Sequence, residues 1–279
     1  MFKTAGIVAR YDKKQAMILA ERISKYLEEK GLKVFIEDTL AEKMKTPGRI
    51  VPLDKMKTDF IVTIGGDGTI LRAGISTPKP EPPILAINMG VRGFLTEVEP
   101  KDAFTALDKC LKGEYKIEKS NKLAISVGKK KFPDALNDVV ISSGEPSKII
   151  YTQIFKDDKP ILRCQTDGLI IATQTGSTGY SLSAGGPVLD KEVDAFILTP
   201  ICSLTIFHSI VFSSESQVSI KIIRPMRMVI LIDGNYRQVL TSEIPILKVN
   251  RSKNVTSFIR FEDDFYHRLR SRLLFKGMG

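Results

Sequence analysis

The chain has 279 residues and a formal net charge of +10, with 43% apolar and 27% charged residues. These proportions are those of ordinary globular proteins, and they exclude a disordered or fibrous chain. No apolar run approaches the roughly 20 residues of a membrane span, and no signal-peptide core stands at the N-terminus, so we expect a cytoplasmic protein. Three cysteines without a CxxC pair and only two histidines argue against a zinc ribbon, a disulfide framework and histidine-based catalysis.

Apolar runs and helical periodicity alternate along the first third of the chain. A strand over Ala5–Arg10, a helix over Lys13–Lys30 closed by Gly31, and a strand over Leu32–Ile36 are predicted, followed by strands over Asp59–Ile64 and Pro83–Asn88. Such alternation predicts an open parallel sheet, so residues 1–98 are assigned to an α/β (Rossmann-like) domain. Ligands of such sheets bind beyond the carboxyl ends of the strands, where the turn that begins at Gly65 lies.

Short β-rich runs separated by turn residues fill most of the rest, after a predicted helix over Lys101–Lys112 that ends at Gly113. Asp157 and Asp158 predict a hairpin between two of these runs. We therefore assign residues 99–254 to an all-β sandwich domain. A C-terminal helix over Phe265–Phe275 is predicted, and the segment 255–279 is expected to pack back on the first domain. Because no aromatic side chains alternate with its arginines, we expect no nucleic-acid partner.

The turn Gly65, Gly66, Asp67, Gly68, Thr69 is the strongest chemical motif of the chain. Its glycines would permit positive φ and bring backbone N–H groups close to a phosphate, and a helix beginning near Thr69 would add a partial positive charge. A carboxylate there suits a site where Asp67 orients and deprotonates a hydroxyl that attacks a phosphoryl group. The alternative is a tight hairpin turn in which Asp67 only bonds nearby backbone. Neither GxxxxGK[ST] nor GxGxxG occurs, which disfavours a P-loop NTPase and an ordinary dinucleotide dehydrogenase.

Two further segments carry polar groups suited to a nucleotide. Asn137 and Asp138 precede a predicted strand and offer donor and acceptor groups for a ribose diol, although Asn-Asp is often just a turn. The segment 173–187 is rich in Ser, Thr and Gly around Tyr180, whose ring could stack on a base. A plain Ser/Gly-rich surface loop is the alternative for that segment.

Together the GGDGT turn, the Asn137–Asp138 pair and the block Thr175–Tyr180 closely resemble the NAD kinase family in order and spacing. The resemblance implies phosphorylation of NAD at the adenosine ribose 2′-hydroxyl by ATP or inorganic polyphosphate, giving NADP, with a divalent metal such as Mg²⁺. It also implies a homodimer or homotetramer without membrane association. By the same resemblance Asp67 is the general base, with nucleotide contacts from Gly68, Arg72, Asn137, Asp138, Lys148, Asp167, Thr178, Gly179, Tyr180, Ser181, Leu182, Ser183 and Asn235.

The chain departs from the family pattern at Gln174, at Gly179 and in the segment Pro200–Leu204, which lacks a histidine. Two other functions stay open at this point. One is a lipid kinase of the diacylglycerol or sphingosine type, whose pattern shares GGDGT but does not account for the block around Tyr180. The other is a non-catalytic nucleotide- or RNA-binding module. His208, set among apolar residues, is expected to be structural.

Overall fold

The computed structural model describes residues 2–41, 49–90, 93–145, 148–205, 207–224, 227–241, 246–261 and 265–273. The chain divides into two compact units, Met1–Ser120 with Thr256–Gly279, and Asn121–Val255. The sequence predicts boundaries at 98/99 and 254/255, whereas the contacts in the structure assign the helix after residue 102 to the first unit. None of the described helices is long and apolar enough to cross a membrane.

The strands, in chain order, are β1 (Thr4–Ala9), β2 (Lys33–Glu37), β3 (Arg49–Val51), β4 (Phe60–Gly65), β5 (Ile84–Asn88), β6 (Lys116–Val127), β7 (Lys130–Lys131), β8 (Asp138–Ser143), β9 (Ile150–Lys156), β10 (Lys159–Thr166), β11 (Gly168–Ala172), β12 (Ala195–Ile201), β13 (Ile210–Ser213), β14 (Val218–Arg224), β15 (Met228–Ile232), β16 (Tyr236–Leu240) and β17 (Ile246–Arg260). The helices are α1 (Lys14–Glu29), α2 (Asp38–Ala41), α3 (Asp67–Ser76), α4 (Ala103–Lys112), α5 (Tyr180–Ser183) and α6 (Phe265–Leu273).

The first unit is built on a parallel sheet in the order β5-β4-β1-β2-β3, with the end of β17 beside β5. The helix α1 covers this sheet with the apolar side that its periodicity predicts: Ala16, Leu19, Ala20, Ile23 and Leu27 are buried. Burial of each leucine or isoleucine among them stabilises the fold by roughly 1.5–3 kcal/mol. The predicted cap is confirmed, since Gly31 has φ +85° and its N–H donates to Glu28 O at 2.9 Å.

The second unit is all-β and antiparallel. One sheet has the order β13-β12-β11-β8-β15-β16, and β10-β9-β14 with the first part of β17 form another ladder. The central strand β11 is buried along its whole length, which is why its sequence is uniformly apolar rather than alternating. Asp157 and Asp158, with φ of 49° and 61°, form the predicted hairpin turn between β9 and β10. The predicted fold class is thereby confirmed.

Several elements differ from the sequence-based prediction. The strand β17, at 15 residues, is the longest of the described strands. Exposed polar residues are interspersed with its buried ones, so its sequence does not read as an apolar run. The predicted C-terminal helix is present as α6, and Arg268 in it donates to Glu97 at 3.3 Å within the first unit. Residues 274–279, the end of that predicted segment, lie outside the described residues. His208 is exposed, and its expected structural role stays a prediction.

Candidate functional site

The glycine turn joins the buried strand β4 to the helix α3. Gly66 caps the helix with φ −109° and ψ −170°, and Asp67 is the first helical residue. The expectation of positive φ at Gly65, Gly66 and Gly68 is wrong, because none of them has a left-handed backbone. Gly65 is needed for close approach instead, since a Cβ there would lie 2.2 Å from Thr69 Oγ1. A methyl group at Gly66 or Gly68 would meet no described atom within 4 Å, so the turn is open on that side.

The carboxylate of Asp67 is held by the loop that follows β5. Phe94 N–H donates to Oδ2 at 2.9 Å, and Leu95 N–H donates to Oδ1 at 3.1 Å. Gly93 lies so close that a Cβ on it would be 2.0 Å from Oδ1. Asp67 is partly exposed. The residues that donate to it, Phe94 and Leu95, lie in the loop after β5 and not in the glycine turn itself. The hairpin-turn alternative, with Asp67 bonding only nearby backbone, is therefore wrong.

Arg72 lies one turn further along α3, on the side that faces β1 and β2. Its guanidinium donates to a carboxylate oxygen of Glu37 and, at 3.1 Å, to Ala9 O. Glu37 is 2% exposed, and its second oxygen, Oε2, has no hydrogen-bond partner among the described residues. Burial lowers the pKa of Arg72. The guanidinium thus fastens α3 to the sheet, and its predicted contact with phosphate stays a prediction.

In the second unit, the side chain of Asp233 holds the Asn137–Asp138 turn in place by hydrogen bonds. Its carboxylate accepts backbone N–H bonds from Leu136 at 2.8 Å, Asn137 at 2.7 Å and Asp138 at 3.0 Å. Burial, and next the charge of Asp233, raise the pKa of Asp138 to about 7. Burial raises the pKa of Asp233 too, while three N–H donors and the charge of Lys122 oppose this rise.

The hydroxyl-rich segment folds against this turn as a 3-10 helix, Thr175–Thr178, and α5. Gly176 is in contact with the Asn137 backbone, and a Cβ there would lie 2.0 Å from Asn137 O. Gly179 faces the same turn, since its Cβ would lie 3.5 Å from Asn137 Nδ2 and 3.7 Å from Asp138 Oδ2. The side chain of Tyr180 is 47% exposed. The structure therefore brings Asn137, Asp138 and the predicted block together.

Other members of the predicted set differ in their surroundings. Thr178 and Ser181 are buried, and the hydroxyls of Ser181 and Thr199 are hydrogen-bonded at 2.8 Å, so Ser181 fixes the loop rather than facing outward. Leu182 is partly buried and Ser183 is exposed.

Lys148 and Asp167 are exposed, and Lys148 pairs with Glu145. Asn235 is exposed and donates to Asp233 O at 2.8 Å. Asn235 therefore lies beside the Asn137–Asp138 turn. Asp167 precedes β11 and Lys148 follows β8 at the end of these strands away from Asn137, because it is Ala172 that pairs with Asp138, so the structure does not bring these two residues to the cluster.

A cavity of about 360 Å³ in the first unit has Asn88 and Gly93 in its lining. It therefore adjoins the loop that holds Asp67. One acidic group of its wall, Glu97, accepts from Arg260 at 3.1 Å and from Arg268 at 3.3 Å. Glu97 and Arg268 of the wall are thus paired with each other.

Comparison with known proteins identifies the family. The ATP-NAD kinase N-terminal domain model matches residues 5–115, and the ATP-NAD kinase C-terminal domain model matches residues 136–261. The NAD kinase of Methanothermobacter thermautotrophicus is 38% identical over 98% of this chain and 97% of its own. That of Pyrococcus furiosus is 39% identical over 94% and 95%. The chain belongs to the NAD kinase family.

Solved structures of this family have the same fold. Yeast NADH kinase, crystallised with NADH, matches with a TM-score of 0.89 at 24% identity over 99% of this chain and 89% of its own. An NAD kinase from Archaeoglobus fulgidus, crystallised with ATP, matches with a TM-score of 0.77 at 28% identity over 96% and 99%.

Sequence reasoning missed the groups that hold each of the two candidate clusters in place. Gly93, with the N–H groups of Phe94 and Leu95, orients Asp67, and Asp233 orients the Asn137–Asp138 turn. Gly90 and Gly93 directly after the apolar strand β5 were a usable signal, because β5 ends beside the glycine turn. Nothing local to Asp233 distinguished it from an ordinary turn residue, apart from its φ of 48° in the structure.

Proposed function

We propose that this enzyme transfers a phosphoryl group from ATP or inorganic polyphosphate to the adenosine ribose 2′-hydroxyl of NAD, giving NADP. One observation carries the proposal: a partly exposed carboxylate, Asp67, is fixed by two backbone N–H groups at the carboxyl end of β4, beside a turn open to a ligand. Kinase chemistry depends chiefly on positioning and charge stabilisation, and this arrangement supplies both.

In the proposed reaction the 2′-oxygen forms a bond to the terminal phosphorus of the donor. The bond from that phosphorus to the bridging oxygen breaks, and ADP or a shortened polyphosphate leaves. Asp67 accepts the proton of the 2′-hydroxyl. Phe94 N–H and Leu95 N–H bind its two oxygens and hold the carboxylate in place, and a carboxylate oxygen can accept more than one hydrogen bond. The N-terminus of α3, which has no side-chain cap, favours the negative charge of the phosphate.

The second unit offers a fitting surface for the dinucleotide. Asn137 Oδ1 is a buried acceptor with no hydrogen-bond partner among the described residues, and a ribose hydroxyl would satisfy it. Asp138 lies next to it, and the exposed ring of Tyr180 is available to stack on a base. Thr178, Gly179, Leu182 and Ser183 of the same loop, with Asn235 beside Asp233, complete the proposed contacts of this cluster. Lys148 and Asp167 stay proposed contacts, at the other end of β8 and β11.

Magnesium fits this site only as an ion shared with the substrate. In the described part of the chain no group of three or more His, Cys, Asp or Glu side chains could hold a metal. Mg²⁺ commonly binds through substrate phosphates, water and one or two carboxylates, and Asp67 is the carboxylate of the glycine turn. When bound, the ion would offset charge on the transferred phosphoryl group.

The relatives favour NAD over the alternatives. Those named above are called NAD kinase or NADH kinase, which supports neither a lipid kinase nor a non-catalytic module. We further propose a cytoplasmic homodimer or homotetramer, to be checked by light scattering on the purified protein.

The decisive experiment incubates purified protein with NAD or NADH, Mg²⁺ and either ATP or polyphosphate, and detects NADP or NADPH. We expect Asp67→Asn to lower kcat by several orders of magnitude while NAD still binds. Asp54→Asn serves as the matched control, because Asp54 is exposed on the turn Leu53–Lys55. Near-normal turnover by Asp67→Asn would remove Asp67 from its role. Absence of product from the wild-type protein with every donor would refute the proposed function.

A further inference from the structure

The edge of the first unit's sheet has a topological switch point between β1 and β4. From β1 the chain continues to the strand on one side, β2, whereas β4 and β5 lie on the other side. Two loops therefore diverge there, the one after β1 that carries Arg10 to Lys13 and the glycine turn after β4. Ligands of open α/β sheets bind in such a crevice.

Lys13 is attached across this crevice by a chain of hydrogen bonds. Its ammonium donates to Met89 O at 3.0 Å, and Met89 N–H donates to Gly65 O at 2.9 Å. On the other side, Arg10 N–H donates to Ile64 O at 2.9 Å. The Lys13 side chain thus runs from the loop after β1 to the loop after β5 and passes the carboxyl end of β4, where the glycine turn begins.

The cations that the structure describes around this turn differ in how their charge is used. Arg10 donates to both oxygens of Asp12, at 2.7 and 2.8 Å, and Arg72 is paired with the buried Glu37. The ammonium of Lys13 donates only to a neutral carbonyl, and no described carboxylate forms an ion pair with it. Of these three described cations, Lys13 is therefore the one without an ion-pair partner, and its charge is available to an incoming anion.

Two further features favour an anion at this position. The helices α1 and α3 both begin at this edge of the sheet, and neither has a side-chain cap. Gly90 leaves room beside the ammonium, because even a Cβ built on it would stay 3.5 Å from Lys13 Nζ. An anion entering above Gly66 and Gly68 would meet two helix N-termini and one ammonium.

We propose that Lys13 binds the phosphoanhydride chain of the phosphoryl donor, and that its ammonium exchanges Met89 O for a phosphate oxygen when the donor enters. This assignment rests on the proposed phosphoryl transfer and deepens it, because it separates a donor subsite from the site for NAD. ATP and inorganic polyphosphate share the phosphoanhydride chain, so Lys13 serves either one.

The test compares Lys13→Gln, which keeps a hydrogen-bond donor but loses the charge, with Lys13→Arg, which keeps the charge. Lys14→Gln is the matched control, because Lys14 is the next residue and is exposed. We expect Lys13→Gln to raise the KM for ATP roughly ten- to hundredfold, the effect of one charge-assisted hydrogen bond, with the KM for NAD within about twofold. Lys13→Arg should recover most of the loss, and Tm should match that of Lys14→Gln.

Direct titration calorimetry with ATP and with inorganic tripolyphosphate, each without NAD, gives a readout besides turnover. The affinities for ATP and for tripolyphosphate should fall in parallel in Lys13→Gln. A fall in the affinity for ATP alone would overturn the assignment of Lys13 to the phosphate chain. A KM for ATP equal to that of Lys14→Gln, or a parallel rise in both KM values with a fall in Tm, would overturn the proposal as well. If instead the wild-type protein makes no NADP, the proposed function itself fails.

Discussion

Substitution of Gly93 by alanine should displace the Asp67 carboxylate without changing any charge. The added Cβ would lie 2.0 Å from Oδ1, 2.7 Å from Cγ and 3.0 Å from Oδ2 of Asp67. To restore a contact distance the carboxylate has to move by about 1 Å, which weakens the bonds from Phe94 and Leu95 N–H. A displacement of that size at a reacting group costs on the order of 100-fold in rate. Crowding of this kind costs about 1–3 kcal/mol of unfolding free energy, or a few degrees in Tm.

Steady-state kinetics for NADP formation, together with a thermal melt, check this expectation. The loss should fall on kcat more than on the KM for NAD, because the proposed general base is displaced while the proposed dinucleotide surface of the second unit is untouched. Gly90→Ala, in the same loop, is the control for the thermal melt alone, since its Cβ makes an ordinary contact at 3.5 Å with Lys13 Nζ. A kcat for Gly93→Ala within about threefold of wild type would refute the proposed role of this glycine.

Three other substitutions test the second unit. Gly176→Ala should lower the unfolding free energy by about 1–3 kcal/mol in urea, because its Cβ meets the Asn137 carbonyl at 2.0 Å; unchanged stability would contradict this contact. The pKa of Asp138, about 7, exceeds the roughly 3.9 of an unfolded aspartate, so protonated Asp138 stabilises the fold below pH 4 and this contribution is lost up to pH 7. Wild-type Tm should therefore fall relative to Asp138→Asn across that window, and parallel curves would contradict the shift. Tyr180→Ala should weaken NAD binding roughly 5- to 100-fold by calorimetry with little change in Tm, whereas Tyr180→Phe should bind normally; equal affinity of the alanine variant would exclude stacking.

The candidate site was predictable from the sequence where its polar groups come from consecutive residues. Gly65–Thr69, the pair Asn137–Asp138 and the loop around Tyr180 were recognisable because each follows or precedes an apolar strand and has a composition that strands and helices avoid. The supporting groups were not predictable from such patterns. Gly93 and Asp233 act on residues far away in the chain, so their role is defined by contacts and not by local composition.

The sequence by itself determined the fold class and the family and singled out Asp67 as the proposed base, because periodicity and motif spacing are local properties of the chain. Only the tertiary structure decided what each charged group is free to do. Arg72 and Lys13 are both cations near the glycine turn, yet burial beside Glu37 commits the first to the fold and leaves the second with a neutral partner. That difference depends on which strands are neighbours in the sheet, and pairing between distant segments is not encoded in any short stretch of residues.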